Sequence, residues 1–250
     1  MTTINDIITQ RINPSFSQKE FEELYIASRK KENRLYTDEQ VAQLPLIENT
    51  HPHFNEWQLR KRSAARLMNY LGNKDKPLSV LEAGCGNGWL SAGLVGIKAA
   101  SVTGTDINKT ELEQARKVFA HKKKLHFIEG DIRNIKFNHK FDIIVFAASI
   151  QYFSNFEEII EGALWLLNEA GEIHILDSYF YKETAIEHAT QRSQLYYQSI
   201  GHPEMAACYF HHSIDSLRSF NYELLYNPAA FKNKLLGKKD PFPWICIKAS

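Results

Sequence analysis

The stretch Ser79–Leu94, SVLEAGCGNGWLSAGL, decides how the chain is read. A β-rich run carries Glu82 into three glycines, Gly84, Gly86 and Gly88, and a helical run follows at once. Strand, glycine loop and helix in that order form a backbone cradle at the end of a strand. A phosphate is the first candidate for it, and the residues argue against one. The dinucleotide fingerprint would put its third glycine where this chain has Trp89, and no Gly-Lys-Ser/Thr closes the loop. A pyrophosphate would also lie close to Glu82, at an electrostatic cost in a partly dry crevice. A cofactor with a nucleoside at one end and a cationic amino-acid group at the other suits the loop better. The glycines permit close backbone approach, and the carboxylate orients an ammonium directly or through water.

Downstream, strands alternate with helical runs: ASVTGTDI, NKTELEQARKVFAHKK, LHFIEGDI, FDIIVFAAS, FEEIIEGALWLLNEAG and EIHILDSYF. That rhythm predicts βαβ units in a doubly wound α/β sheet. NYELLYN and WICIKAS close the chain as an antiparallel pair, for about seven strands in all. Residues 1–72 read as an amino-terminal helical flank or lid, with Ser17 and Glu20 forming a capping box. Residues 73–250 read as the main domain, with 181–212 as a helical insertion before the last two strands. Asp106 ends the second strand and is placed to accept from two ribose hydroxyls, with Ile107 offering an apolar face to a base. Asp131 follows the third strand and suits an exocyclic amine, with Ile132 packing on the ring. As an alternative, either aspartate could cap a helix. All these sites fall at the carboxyl ends of successive strands, where open α/β sheets bind ligands.

VLEAGCGNG, GTDI, EGDI and FDIIVFAASIQYF together resemble class I S-adenosylmethionine-dependent methyltransferases, over roughly residues 77–180. The resemblance implies a Rossmann-like fold, S-adenosylmethionine as cofactor and S-adenosylhomocysteine as product. Carried onto this chain, it puts Glu82, Gly84, Gly86 and Gly88, with Cys85 among them, on the methionine part. It puts Asp106 at the ribose, Asp131 and Ile132 at adenine, and Ala147, Ala148 and Ser149 near the methionine moiety and the substrate. Methyl transfer from a sulfonium is an in-line displacement, so the protein must align the reactants, exclude water and sometimes take a proton. His51, His53 and His211 are the candidates for such a base. Trp57, Arg60, Ser149, Tyr179 and Tyr209 are the candidates for acceptor contacts. The aromatic-rich insertion suits either a pocket wall or a homodimer surface.

Absent motifs narrow the acceptor. AASI replaces the Asn/Asp-Pro-Pro-Tyr/Phe run of amine methyltransferases acting on DNA or glutamine, and no Pro-Cys pair supplies a cytosine-attacking thiol. A small molecule with an O or N nucleophile is the leading expectation. The alternatives are an RNA or protein methyltransferase and a non-catalytic cofactor-binding protein. Composition agrees: 250 residues, 44% hydrophobic, with 30 basic against 29 acidic residues, argue for no nucleic-acid or membrane partner. The basic runs RKKENR (29–34), LRKR (59–62) and HKKK (121–124) read as solvated faces. Cys85, Cys208 and Cys246 fit no metal-ligand spacing, so no metal is expected and the compartment is read as reducing. MTTINDIITQRINPSF lacks the pattern of a signal peptide, which makes the expected location cytoplasmic.

Overall fold

The computed structural model describes residues 16–97, 100–231, 233 and 240–249. The first 15 residues of the stretch read for a signal peptide lie outside the described residues, as do two lysines of KKDPFP and the final serine of WICIKAS. The elements are α1 (Gln18–Lys31), α2 (Asp38–Gln43), α3 (Phe54–Gly72), β1 (Ser79–Ala83), α4 (Trp89–Leu94), β2 (Ser101–Asp106), α5 (Lys109–Val118), β3 (Leu125–Glu129), β4 (Phe141–Ala147), α6 (Phe156–Trp165), β5 (Leu167–Leu176), β6 (Phe180–Tyr181), α7 (Glu183–Ser199), β7 (His212–Ser213), β8 (Tyr222–Tyr226) and β9 (Trp244–Lys248).

Seven strands form one sheet in the order β3-β2-β1-β4-β5-β9-β8. β1 to β5 are mutually parallel, and β9 runs antiparallel to both β5 and β8. The order reverses between β1 and β4, which opens a crevice at their carboxyl ends. Period-two alternation explains why β1 and β4 are apolar on both faces. Val80, Ile143 and Val145 join Trp57, Leu67 and Leu71 of α3 in one core. Leu81, Ala83, Ile144 and Phe146 join Ile159 and Ile160 of α6 in the other. Helix α3 is therefore one of the layers that cover the sheet.

A third, smaller cluster holds Phe21 of α1 against Tyr197 of α7 and Met205 and Cys208 in the 3-10 turn that follows, with Ile107 packed beside them. These segments roof the crevice. The capping box is formed: Ser17 Oγ accepts from Glu20 N, and the Glu20 carboxylate accepts from Ser17 N at 2.7 Å. Gln18 Nε2 donates to Ile107 O at 3.3 Å and Thr110 N donates to Glu22 Oε1 at 3.0 Å, tying α1 to the end of β2 and the start of α5.

Three details differ from the sequence reading. Strand β5 starts at Leu167, inside the run read as helix, because Ala170 adopts φ +58° and the pairing with β4 shifts register there. Past Leu176 the chain leaves the sheet, and Phe180–Tyr181 pair instead with His212–Ser213 in a separate two-stranded ladder. The basic runs are not uniformly solvated. Arg29, Arg34 and Arg60 turn inward, while Lys30, Lys31 and Lys61 stay exposed.

Candidate active site

Three connected spaces lie over the switch between β1 and β4. The first is a crevice of about 650 Å³ lined by Gly84, Gly86, Asp106, Ile107, Asp131 and Ile132, with Phe21 and Tyr25 of α1 across it. The second lies beyond the glycines, beside Glu82, Cys85, Trp57, Arg60 and Ala147. The third is a chamber of about 1120 Å³ under α7, walled by six tyrosines and four arginines. Ala148 lines all three, at φ +53°, with its N–H donated to Leu176 O at 2.9 Å. Non-glycine residues in that conformation are strained and concentrate at ligand sites.

The glycine loop takes its shape from positive φ and close packing. Gly84 has φ +73°, and a Cβ there would lie 2.5 Å from Ser149 Cβ. Gly88, also at φ +73°, caps α4, and its added Cβ would lie 2.5 Å from the Phe127 ring. Asp106 holds the loop from the other side: Gly86 N donates to Oδ2 at 2.7 Å and Asn108 N to Oδ1 at 2.8 Å. The Ile107 amide adds to these, and an ionised carboxylate has about four acceptor sites, so acceptor capacity remains for a ligand in the crevice. The helix-cap alternative for Asp106 falls away, because Asn108 caps α5 through its own side chain.

Glu82 is 2% exposed and accepts from Ser91 Oγ. Burial pushes its carboxyl up to about 8, against the pull of the Ser91 hydrogen bonds. Glu111, beside Gly86, is pushed up by burial to about 7, with the charge of Asp106 adding to the effect. Asp131 is already paired: Arg133 Nε lies 3.0 Å from Oδ1 and 3.1 Å from Oδ2, and Arg133 N donates to Oδ1 at 2.9 Å. Cys85 is buried, its thiol pushed well up by burial and turned toward Gly86 O, with no helper to make it a nucleophile.

The three histidines part company. His53 Nε2 bonds Glu32 O at 2.6 Å, and His53 N donates to His51 Nδ1 at 3.1 Å, so both brace the loop before α3 and neither lines any of the three spaces. The expectation that they reach the site is corrected: their rings are spent on each other and on Tyr36. His211 does line the chamber, between the rings of Tyr181 and Tyr209 and 3.1 Å from Ser193 Oγ. Burial lowers its pKa and keeps it neutral near pH 7. Among the acceptor candidates, Tyr209 and Tyr179 line the chamber, Tyr179 at 48% exposure against Phe242. Arg60 lines both chamber and cofactor side. Trp57 donates from Nε1 to Tyr36 OH at 2.8 Å and walls the cofactor side only. Ser149 Oγ is committed to Ala83 O at 2.6 Å and lines the first crevice but not the chamber, so its part is to fix the strand exit.

Sequence reasoning missed Tyr25, Arg29, Arg34, Glu56 and Tyr152. Phe21, Tyr25 and Arg29 recur at i, i+4 and i+8, a one-face helical stripe that was available in the sequence. Arg29 stacks over the Tyr25 ring at 4.6 Å and donates to Tyr152 OH at 2.7 Å.

A doubly wound sheet with a glycine cradle, a carboxylate at the end of the second strand and an adjoining chamber is the arrangement of a nucleoside-cofactor enzyme. The methyltransferase domain family model matches residues 74–240, two thirds of the chain, and the chain belongs to that family. A malonyl-[acyl-carrier protein] O-methyltransferase of Halalkalibacterium halodurans is 28% identical over 143 residues, 53% of each chain. One of Priestia megaterium is 28% identical over 118 residues, 46% of this chain and 43% of that protein. The chain thus spans about half the length of the curated relatives it matches. Among solved structures, magnesium protoporphyrin IX methyltransferase from Synechocystis PCC 6803 with bound SAM has a TM-score of 0.57 at 14% identity, covering 95% of this chain and 100% of that one. The plantazolicin methyltransferase BpumL in complex with SAH has a TM-score of 0.56 at 17% identity, covering 93% of this chain and 97% of that one. The fold is theirs. S-adenosylmethionine fits the cradle: Gly84 and Gly86 line the crevice without side chains, and Asp106 lines it with acceptor capacity left for a ligand hydroxyl.

Proposed function

We propose that the chain transfers a methyl group from S-adenosylmethionine to an O or N nucleophile of a small molecule by in-line displacement. The observation that carries this reading is the chamber meeting the cofactor crevice at Ala148, under a roof of α1 and α7. The bound cofactor would supply an activated methyl carbon. The chain's own contribution is placement. Asp106 and the glycine loop orient the nucleoside and methionine ends, and Glu82 suits the ammonium. The tyrosine-rich wall excludes water from the junction. His211 is the candidate to take a proton from an acceptor that has one to lose. The names of the curated relatives describe O-methylation, which supports oxygen over nitrogen.

Calorimetry with S-adenosylhomocysteine, followed by a labelled-methyl assay over a metabolite panel, tests the reading. Saturable one-to-one binding and transfer to a small molecule are expected. No binding overturns it, and binding without transfer to any compound leaves the chain as a cofactor-binding protein.

A further inference from the structure

Across the roof of the junction, five charged side chains form one continuous chain. Arg29 meets Glu32 at 2.8 Å, Glu32 meets Arg34 at 3.5 Å, Arg34 meets Glu56 at 2.6 Å and Glu56 meets Arg60 at 2.9 Å. Their side chains are 7% to 28% exposed, so solvent screens them poorly. Three guanidiniums face two carboxylates within this run, and Asp177, which also lines the chamber, is a further carboxylate that Arg60 acts on. The unused donors are specific. Arg60 engages Glu56 through Nε and one terminal nitrogen, which leaves the other terminal nitrogen for a ligand, and the buried Arg34 Nε reaches Glu32 only at 3.5 Å. Arg29, Arg34 and Arg60 all line both the cofactor side and the chamber.

Bound S-adenosylmethionine would add one further positive charge, because its sulfonium, ammonium and carboxylate sum to plus one. In the ligand-free chain burial raises the carboxyls of Glu82 to about 8 and Glu111 to about 7, and the cofactor's own cations favour their charge. Asp177 accepts from Ser63 Oγ at 2.9 Å, burial raising its carboxyl against the pull of Arg60, while Arg192 adds a cation beside Tyr181 and His211. The remaining wall is aromatic, with Tyr152, Tyr181, Tyr197 and Tyr209 presenting ring faces and edges.

We propose that the methyl acceptor is a small carboxylic acid with an aromatic or similarly flat apolar body, and that its carboxylate, seated on Arg60 and its neighbours, is the group methylated. This rests on the methyl-transfer function proposed above. A guanidinium needs only one carboxylate oxygen, which leaves the other free to face the methyl carbon. That oxygen gives an electron pair to the methyl carbon while the carbon–sulfur bond breaks and sulfur keeps its pair. The products are a neutral methyl ester and a neutral thioether. No proton moves, so no base is required and His211 acts as a hydrogen-bonding wall.

The test uses the full chain with labelled S-adenosylmethionine and three matched sets: benzoic, cinnamic and indole-3-acetic acids, their primary amides and the corresponding alcohols. The acids are expected to gain a methyl group that mild alkali releases as methanol, with the amides and alcohols unlabelled. Arg60→Gln is expected to raise the KM for the acid at least tenfold while S-adenosylhomocysteine affinity stays within twofold, and Arg60→Lys to recover part of the loss. Retained S-adenosylhomocysteine binding and an unchanged melting temperature show that the variants fold. Alkali-stable label on amides or alcohols, or no turnover of any acid by a chain that binds S-adenosylhomocysteine, overturns the carboxylate reading alone. Equal loss of acid and cofactor affinity in Arg60→Gln assigns the chain to the methionine carboxylate and also overturns it. Failure to bind S-adenosylhomocysteine would instead remove the underlying function.

Discussion

Glu82 sits where two demands conflict: a ligand ammonium favours its charge, while burial at 2% exposure opposes it. Burial raises the folded-state carboxyl from 4.5 to about 8, so between those values the folded chain holds a proton that the unfolded chain has lost. Its contribution is fully present below about pH 4.5 and is lost as pH rises toward 8. Urea melts of the ligand-free chain from pH 5 to pH 8 are therefore expected to show falling stability, with a flatter slope in Glu82→Gln. Glu111, raised to about 7, contributes the same sign and should leave a residual slope. Identical slopes in the two proteins would take the proton off Glu82. Asp106 carries the second expectation at this scale. Asp106→Ala should weaken S-adenosylhomocysteine at least tenfold by calorimetry, about 1.4 kcal/mol. Unchanged affinity would free it from the ribose role. Both residues were legible in the sequence because their position, at a strand's carboxyl end beside glycines, fixes where the side chain points. Arg29 and Arg34 were not. A basic run reads as solvated unless the partners are known, and those partners, Tyr152 and Glu56, lie 123 and 22 positions away.

At the scale of elements, α1 shows how a local signal acquires a distant consequence. Its capping box was readable from Ser17 and Glu20, but nothing in the sequence said that Phe21 and Tyr25 would wall the crevice opposite Asp106 and Asp131. The Ser17 hydroxyl satisfies one of the orphan amides of the first turn, and its loss costs about 0.5–2 kcal/mol of helix stability. Ser17→Ala is expected to speed hydrogen exchange in the first two turns of α1 and to weaken S-adenosylhomocysteine several-fold, with exchange in β1 and β4 unchanged. Equal acceleration throughout would show global destabilisation, and normal affinity would show that α1 roofs the crevice without supporting the ligand. The strands were legible for a different reason: β4 is apolar along nearly its whole length, as a covered central strand of a parallel sheet requires. The start of β5 was not, because Leu166, Leu167 and the residues before them fit a helix equally well. The register shift that decides the matter depends on pairing with β4. β6 and β7 have two residues each and exist through a long-range pairing that no local pattern encodes.

For the whole molecule, the question is where the folding unit begins. The sequence reading cuts at 72/73, where the βαβ rhythm starts. The contacts run across that cut. Trp57, Ala64, Leu67 and Leu71 of α3 are 0% to 4% exposed and share a core with Val80, Val102, Ile143 and Val145 of the sheet. A polar link reinforces it: Tyr70 OH donates to Glu172 Oε1 at 3.0 Å and Lys74 Nζ donates to the same oxygen at 2.8 Å. Beside them Trp244 Nε1 donates to His174 Nδ1 at 3.1 Å, so the buried neutral ring carries its proton on Nε2, 3.3 Å from Glu172 Oε2. Although Cys246 lies close by, that nitrogen has no lone pair for a metal, and the group ties α3 to β5 and β9 instead. Losing a large core side chain costs roughly 2–5 kcal/mol, and a domain's whole margin is about 5–15 kcal/mol. A chain beginning at residue 73 loses three such side chains at once and is expected to lack a cooperative melt and dispersed amide resonances. A chain beginning at residue 34 loses α1 and Glu32 but keeps α3, and should melt cooperatively at a lower temperature while binding S-adenosylhomocysteine more weakly. A cooperative transition in the shorter chain would restore the boundary at 72/73 and make α3 a detachable flank.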